Sequence, residues 1–114
     1  MSKLVSIVIP CYRSAEMLEG VVADIGREMD NLKDKYRWEL ILVNDCSPDN
    51  TFEVIRRLCE KHNNICGVNL ARNFGQHAAL MAGFHQVKGD YLVCMDDDGQ
   101  TPADAIGDLL QGLE

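Results

Sequence analysis

Leu40-Ile41-Leu42-Val43-Asn44-Asp45-Cys46-Ser47-Pro48-Asp49-Asn50-Thr51 reads as a buried strand, a turn and the opening of a helix. The apolar run is short and rich in branched side chains, as in a strand covered on both faces. Asn44 to Asn50 is dense in turn formers. Phe52, Ile55, Leu58 and Cys59 then recur at helical spacing. This strand-to-helix unit decides the fold, because the same pattern recurs on either side of it.

Toward the N-terminus, Leu4-Val5-Ser6-Ile7-Val8-Ile9 is a second short apolar run, expected to be a strand stopped by Pro10. Met17, Leu18, Val21, Val22, Ile25, Met29 and Leu32 follow on one helical face, with Ser14 as the expected N-cap. Toward the C-terminus, Ile65 to Leu70 predicts a weaker strand interrupted by Gly67. Between Phe74 and Val87 the run Ala78-Ala79-Leu80-Met81-Ala82-Gly83-Phe84 is apolar almost all round, which predicts a largely buried helix ended by Gly89-Asp90. Tyr91-Leu92-Val93-Cys94-Met95 is the fourth expected strand. Thr101-Pro102-Ala103-Asp104 opens a last helix, with Ile106, Leu109, Leu110 and Leu113 on its apolar face. The order β-α-β-α-β-α-β-α implies an α/β, three-layer, Rossmann-like arrangement around a mainly parallel four-stranded sheet. No linker divides residues 1–114, so one domain is expected.

Composition narrows the function. Hydrophobic residues make up 46% and charged residues 25%, as in ordinary globular proteins. The net charge of −7 with scattered basic residues argues against nucleic acid, whose phosphates need clustered Lys and Arg. Cys11, Cys46, Cys59, Cys66 and Cys94 show no metal-ligand spacing and are expected to be small buried hydrophobes in a reduced, cytoplasmic protein. No apolar run approaches the roughly 20 residues a membrane helix needs, and the N-terminal run is too short for a signal peptide.

In an open parallel sheet, ligands bind beyond the carboxyl ends of the strands. Polar residues gather there: Pro10-Cys11-Tyr12 after the first strand, Asn44-Asp45-Cys46-Ser47 after the second, Arg72-Asn73 beyond the third and Asp96-Asp97-Asp98-Gly99-Gln100 after the fourth. Three adjacent carboxylates repel one another unless solvated, protonated or bound to a cation. In an extended segment Asp96 and Asp98 share a side and Asp97 points away. That pair is a hard-oxygen site for Mg²⁺ or Mn²⁺ carrying phosphate oxygens. The plainer reading is a solvated acidic turn before the next helix; its place at the end of a buried strand favours the metal. Asp45 can accept from a base or ribose, or simply cap a turn. Arg72 can pair with a phosphate or remain a surface charge. Tyr12 can stack on a base or cover the sheet edge. His62, His77 and His85 fall on predicted helices without ligand partners and are expected to be structural. A Gly-x-Gly-x-x-Gly turn, a phosphate-binding Gly-Lys loop and a Gly-x-Ser-x-Gly elbow are all absent.

Four segments together resemble the family-2 glycosyltransferases of the GT-A fold. Val5-Ser6-Ile7-Val8-Ile9-Pro10-Cys11-Tyr12 resembles their first strand, and Glu39 to Thr51 their second strand and Asp-Gly-Ser-x-Asp-x-Thr loop. Asn69-Leu70-Ala71-Arg72-Asn73-Phe74-Gly75, with Ala78-Ala79 and Ala82-Gly83, is similar to the polyprenyl-phosphate sugar transferase branch. Met95-Asp96-Asp97-Asp98-Gly99-Gln100-Thr101-Pro102 matches that branch's Asp-x-Asp-x-Gln-x-Pro segment. The resemblance implies a nucleoside-diphosphate sugar as ligand, with Pro10, Tyr12 and Asp45 lining the nucleoside pocket and Arg72 near the diphosphate. It implies Asp96, Asp97 and Gln100 beside the donor, Asp96 and Asp98 on the metal, and an acceptor lipid phosphate or glycan.

The sequence departs from the pattern at Arg13-Ser14, where Asn-Glu is frequent, and at Asn44 and Cys46, where Asp and Gly are frequent. The resemblance also places the acceptor half and catalytic base beyond Glu114. The 114 residues alone are therefore expected to bind without sustained transfer, and to self-associate through an exposed sheet edge. A full-length relative is expected at the cytoplasmic face of the membrane. The alternative is an aspartyl-phosphate phosphatase or receiver-type module using one of the triplet as phosphoacceptor. Such phosphatases carry Asp-x-Asp after the first strand, however, and here the triplet follows the fourth.

Overall fold

A computed structural model describes residues 3–13, 15–33, 35–70 and 88–95. It contains β1 (Lys3–Cys11), α1 (Ala15–Asn31), β2 (Tyr36–Asn44), α2 (Thr51–Lys61), β3 (Ile65–Asn69) and β4 (Tyr91–Cys94). The expected helices at 74–87 and 101–114, and the Ser14 cap, lie outside the described residues. No helix among the described residues is long and apolar enough to cross a membrane.

The strands form one parallel sheet in the order β3-β2-β1-β4. The chain steps from β1 outward to β3, then returns past β2 and β1 to lay down β4. The switch in direction therefore falls between β1 and β4, where such sheets bind ligands. This order differs from the 2-1-3-4-5 arrangement of receiver-type modules, in which β3 would neighbour β1.

Burial on both faces explains why the strand sequences are continuously apolar rather than alternating. Val5, Ile7, Ile9 and Cys11 of β1 pack with Leu18, Val22, Ile25 and Met29 of α1 and with Val54, Ile55 and Leu58 of α2. Both described helices thus share one face. Val8, Ile41 and Val43 are buried on the opposite face, with Val68 and Leu70 beside them. Tyr36 and Tyr91 meet edge to face across the N-terminal end of β1, their ring centroids 6.2 Å apart.

Three expectations change. First, β1 runs through Pro10 to Cys11 rather than stopping before it. The Met95 N–H donates to Val8 O, so even-numbered residues of β1 face β4. Among the described residues pairing with β4 ends at Val8↔Cys94, so Pro10 lies beyond the described part of that ladder, where a missing N–H costs no strand bond. Second, Gly67 does not interrupt β3; it pairs with Leu42 inside the ladder. A Cβ there would stand 2.7 Å from Ile55 Cγ2 and 3.4 Å from Cys59 Sγ, so glycine lets α2 lie close to the sheet. Third, among the cysteines only Cys11 is buried; Cys59 is half-buried, and Cys46, Cys66 and Cys94 are exposed. Cys46 sits in a loop, whereas Cys66 and Cys94 lie on the outer strands β3 and β4, whose side chains point alternately to opposite faces. His62 is the C-cap of α2 rather than part of the helix, and it is exposed.

The approach to β4 is locked onto β1 by polar contacts. Ser6, fully buried, accepts from the Gly89 N–H at 2.8 Å and donates to the Glu39 carboxylate. Glu39 also accepts from the Lys88 N–H at 2.8 Å. Asp90 and Leu4 exchange a pair of bonds, N–H to O at 2.7 Å and N–H to carboxylate at 3.0 Å.

Candidate functional site

The carboxyl ends of β1 and β2 form the described part of the site. The register Cys11↔Asn44 brings them level, and the Asp45 N–H donates to Cys11 O at 3.0 Å across the gap. Pro10 is buried at the end of β1. Tyr12 follows it and is 43% exposed, with the Arg13 guanidinium 5.6 Å from its ring centroid. Asp45 lies at the tip of β2 and is only 4% exposed. A carboxylate held out of water at a strand tip must be satisfied by donors. Pro10, Tyr12 and Asp45 are therefore gathered on one edge. Arg72, Asp96, Asp97, Asp98 and Gln100 lie outside the described residues.

Residues given no binding role from the sequence also shape this edge. Asn44, also buried, donates through Nδ2 to Asn69 Oδ1 at 2.8 Å and accepts at Oδ1 from the Ser47 N–H at 3.2 Å. Its main-chain O takes the Leu70 N–H at 2.9 Å. Asn44 thus ties the end of β3 to the turn after β2. An aspartate, more frequent at this position in the family it resembles, has no side-chain N–H to give Asn69. The relevant sequence signal is the pair of asparagines ending β2 and β3, legible only once their register is known.

The turn after β2 is organised by Asp49. Its carboxylate accepts from the hydroxyls of Ser47 and Thr51 and from the Thr51 N–H at 3.1 Å. Asp49, rather than the N-cap residue Asn50, therefore satisfies the start of α2. The Ser47 hydroxyl, foremost, and the Thr51 hydroxyl hold the Asp49 carboxyl below the ordinary aspartate range. A carboxyl with a depressed native pKa contributes stability above its unfolded pKa and loses it as pH falls through the native value. Asp49→Asn is thus expected to lower the melting temperature at pH 7, and the gap to wild type should close as the medium is acidified. Melting curves of both proteins from neutral to strongly acid pH check this; a gap constant with pH would refute it.

Arg13 and Cys46 have positive φ, 53° and 54°. Side chains other than glycine occupy that region at a cost of about 1–2 kcal/mol. Cys46 stands where glycine is frequent in the family it resembles. Cys46→Gly should relieve the strain and raise stability by about 0.5–1 kcal/mol, after the larger chain entropy that glycine gives the unfolded state. Urea denaturation measures it; a loss of stability would count against the left-handed turn.

Among the described residues no group of three His, Cys, Asp or Glu side chains stands close enough to hold a metal ion. Carboxylate oxygens, such as the side chains of Asp96 and Asp98 carry, are the donor type that suits a hard divalent cation. Met95, the residue before Asp96, is buried, and its N–H is bonded to Val8 O at 3.0 Å.

Comparison with known proteins places this architecture. The family described as "Glycosyl transferase family 2" matches residues 6–114. Undecaprenyl-phosphate 4-deoxy-4-formamido-L-arabinose transferase of Aeromonas hydrophila is 40% identical over 110 residues, covering 96% of this chain and 33% of that protein. Its namesake in Photorhabdus laumondii is 40% identical over 113 residues, covering 98% and 34%. The chain thus spans about a third of the length of these curated relatives. Among solved structures, the mannosyltransferase PcManGT of Pyrobaculum calidifontis, in complex with GDP-Man and Mn²⁺, superposes with a TM-score of 0.76 at 27% identity, over 92% of this chain and 30% of that one. TarS 1-349 of S. aureus, in complex with UDP, gives 0.73 at 19% identity over 97% and 31%, a likeness of fold.

Proposed function

This chain belongs to glycosyltransferase family 2, and from that premise we propose that it binds a nucleoside-diphosphate sugar at the β1–β4 switch point for transfer of the sugar. The observation that carries the reading is the convergence of Pro10, Tyr12 and the buried Asp45 on one sheet edge, beside the strand that leads into Asp96-Asp97-Asp98. No phosphoacceptor follows β1, where Cys11 and Tyr12 stand, so the phosphatase alternative lacks its nucleophile.

In this reading Asp45 accepts hydrogen bonds from the base, and Tyr12 offers it a ring face. Arg72 pairs with the diphosphate, and Gln100 and Asp97 lie beside the donor. Asp96 and Asp98 hold Mg²⁺ or Mn²⁺, which when bound offsets the charge of the departing diphosphate. The PcManGT complex with GDP-Man and Mn²⁺ supports a donor and metal of this kind. In the transfer an acceptor oxygen attacks the anomeric carbon while the bond to the diphosphate breaks, releasing the nucleoside diphosphate. The names of the relatives favour a polyprenyl phosphate as acceptor, which would bring the reaction to a membrane surface.

Calorimetry with UDP and GDP, each with and without Mn²⁺, tests the proposal. One nucleotide is expected to bind in a Mn²⁺-dependent way, and Asp98→Ala should weaken it at least about tenfold, as loss of a metal ligand does. Binding equal in Asp98→Ala would remove the metal assignment; no binding of either nucleotide would remove the donor site.

A further inference from the structure

Tyr12 is held by its neighbours' backbone. On one side, Cys11 O accepts the Asp45 N–H at 3.0 Å. On the other, the Arg13 N–H donates to Ser47 Oγ at 2.9 Å, a contact between loops 34 residues apart in sequence. Ser47 in turn donates its hydroxyl proton to Asp49, and its own N–H is taken by Asn44 Oδ1. Its oxygen is thereby aimed with an acceptor lone pair toward Arg13. Arg13 needs such a tether, because its φ of 53° is one that a residue with a side chain adopts only when its surroundings impose it. Tyr12, at 43% exposure, is not fixed by burial in the core.

We propose that Ser47 is a positioning residue for nucleotide recognition: by holding the Arg13 amide it fixes the backbone of Tyr12 at the sheet edge that also carries Asp45. The proposal rests on the nucleotide-binding reading above and assigns Ser47 no contact with the ligand. It also gives the polar relay Asp49–Ser47–Arg13 a use beyond starting α2. Pre-organising a loop in its bound conformation raises affinity by removing an ordering cost at binding.

Two measurements on the whole 114-residue chain test it. Amide hydrogen exchange at Arg13, followed by NMR without ligand, should be slowed in the unaltered chain, freed in Ser47→Ala and slowed again in Ser47→Thr. Calorimetry with UDP or GDP and Mn²⁺ should show Ser47→Ala about tenfold weaker, the worth of one hydrogen bond, and Ser47→Thr restored. In a Tyr12→Ala background Ser47→Ala should change affinity no further, because the effect passes through Tyr12. An Arg13 amide that exchanges freely in the unaltered chain overturns the tether. Unchanged affinity in Ser47→Ala, or an equal loss with and without Tyr12, overturns the positioning role. If the unaltered chain binds neither nucleotide while the Arg13 amide behaves as expected, the donor site fails and takes the positioning role with it, leaving a structural tether.

Discussion

Gly89→Val is expected to cost about 3 kcal/mol or more, a large share of the about 5–15 kcal/mol that holds an ordinary domain together. A Cβ at Gly89 would stand 2.7 Å from Leu4 O and 2.9 Å from Ser6 N, and would also strike Ser6 Oγ. Two of these obstacles are backbone atoms of a strand near the middle of the sheet, so no side-chain rotation relieves the clash. Moving residue 89 away would break its bond to the buried Ser6 hydroxyl and strain the Asp90–Leu4 pair. A buried hydroxyl left with one partner fewer adds roughly 1–3 kcal/mol. Gly20→Ala is the control: it lies in α1 with nothing within 4 Å of the added Cβ. Alanine there should stabilise by about 0.5–1 kcal/mol through helix propensity. Urea denaturation of both variants decides the matter, and a Gly89→Val midpoint equal to wild type would mean that β4 is not docked on β1 through this close approach.

Asp45→Asn should weaken nucleotide binding by about 10- to 100-fold, the span of one hydrogen bond to a charged group, while leaving the melting temperature within a few degrees. Asp45 is 4% exposed as a residue, and the bond to Cys11 runs from its main-chain N–H. Asparagine keeps the shape and the backbone bond but loses the charge and half of the accepting capacity. A residue kept for structure would lose stability on this change; one kept for recognition loses affinity. Calorimetry and thermal melts on the same preparation separate the two. Equal affinity in Asp45→Asn would sink the assignment of Asp45 to the base.

Much of this architecture was legible because burial on both faces leaves a strong mark on composition. Leu40-Ile41-Leu42-Val43 and Ile7-Val8-Ile9 are apolar without alternation, and only a strand covered on both sides needs that. Helix α1 was visible for the opposite reason, since Leu18, Val22, Ile25 and Met29 bury a single stripe. Cys66 and Cys94 misled because apolar neighbours do not reveal whether a strand is central or outer. Pro10 misled because the harm done by a missing N–H depends on which side of the strand it faces and where the neighbour ends.

The sequence by itself determined the succession from β1 to β3 and the apolar run of β4, the family, and the placing of Pro10, Tyr12 and Asp45 at strand ends, since each of these depends on local pattern and spacing. Only the tertiary structure decided that β1 lies between β2 and β4, that Gly89 must lack a side chain, and that Ser47 reaches Arg13. Those facts depend on register between segments distant in the chain. Register is set by how side chains pack across the sheet, and a linear pattern does not encode which residues will stand opposite one another.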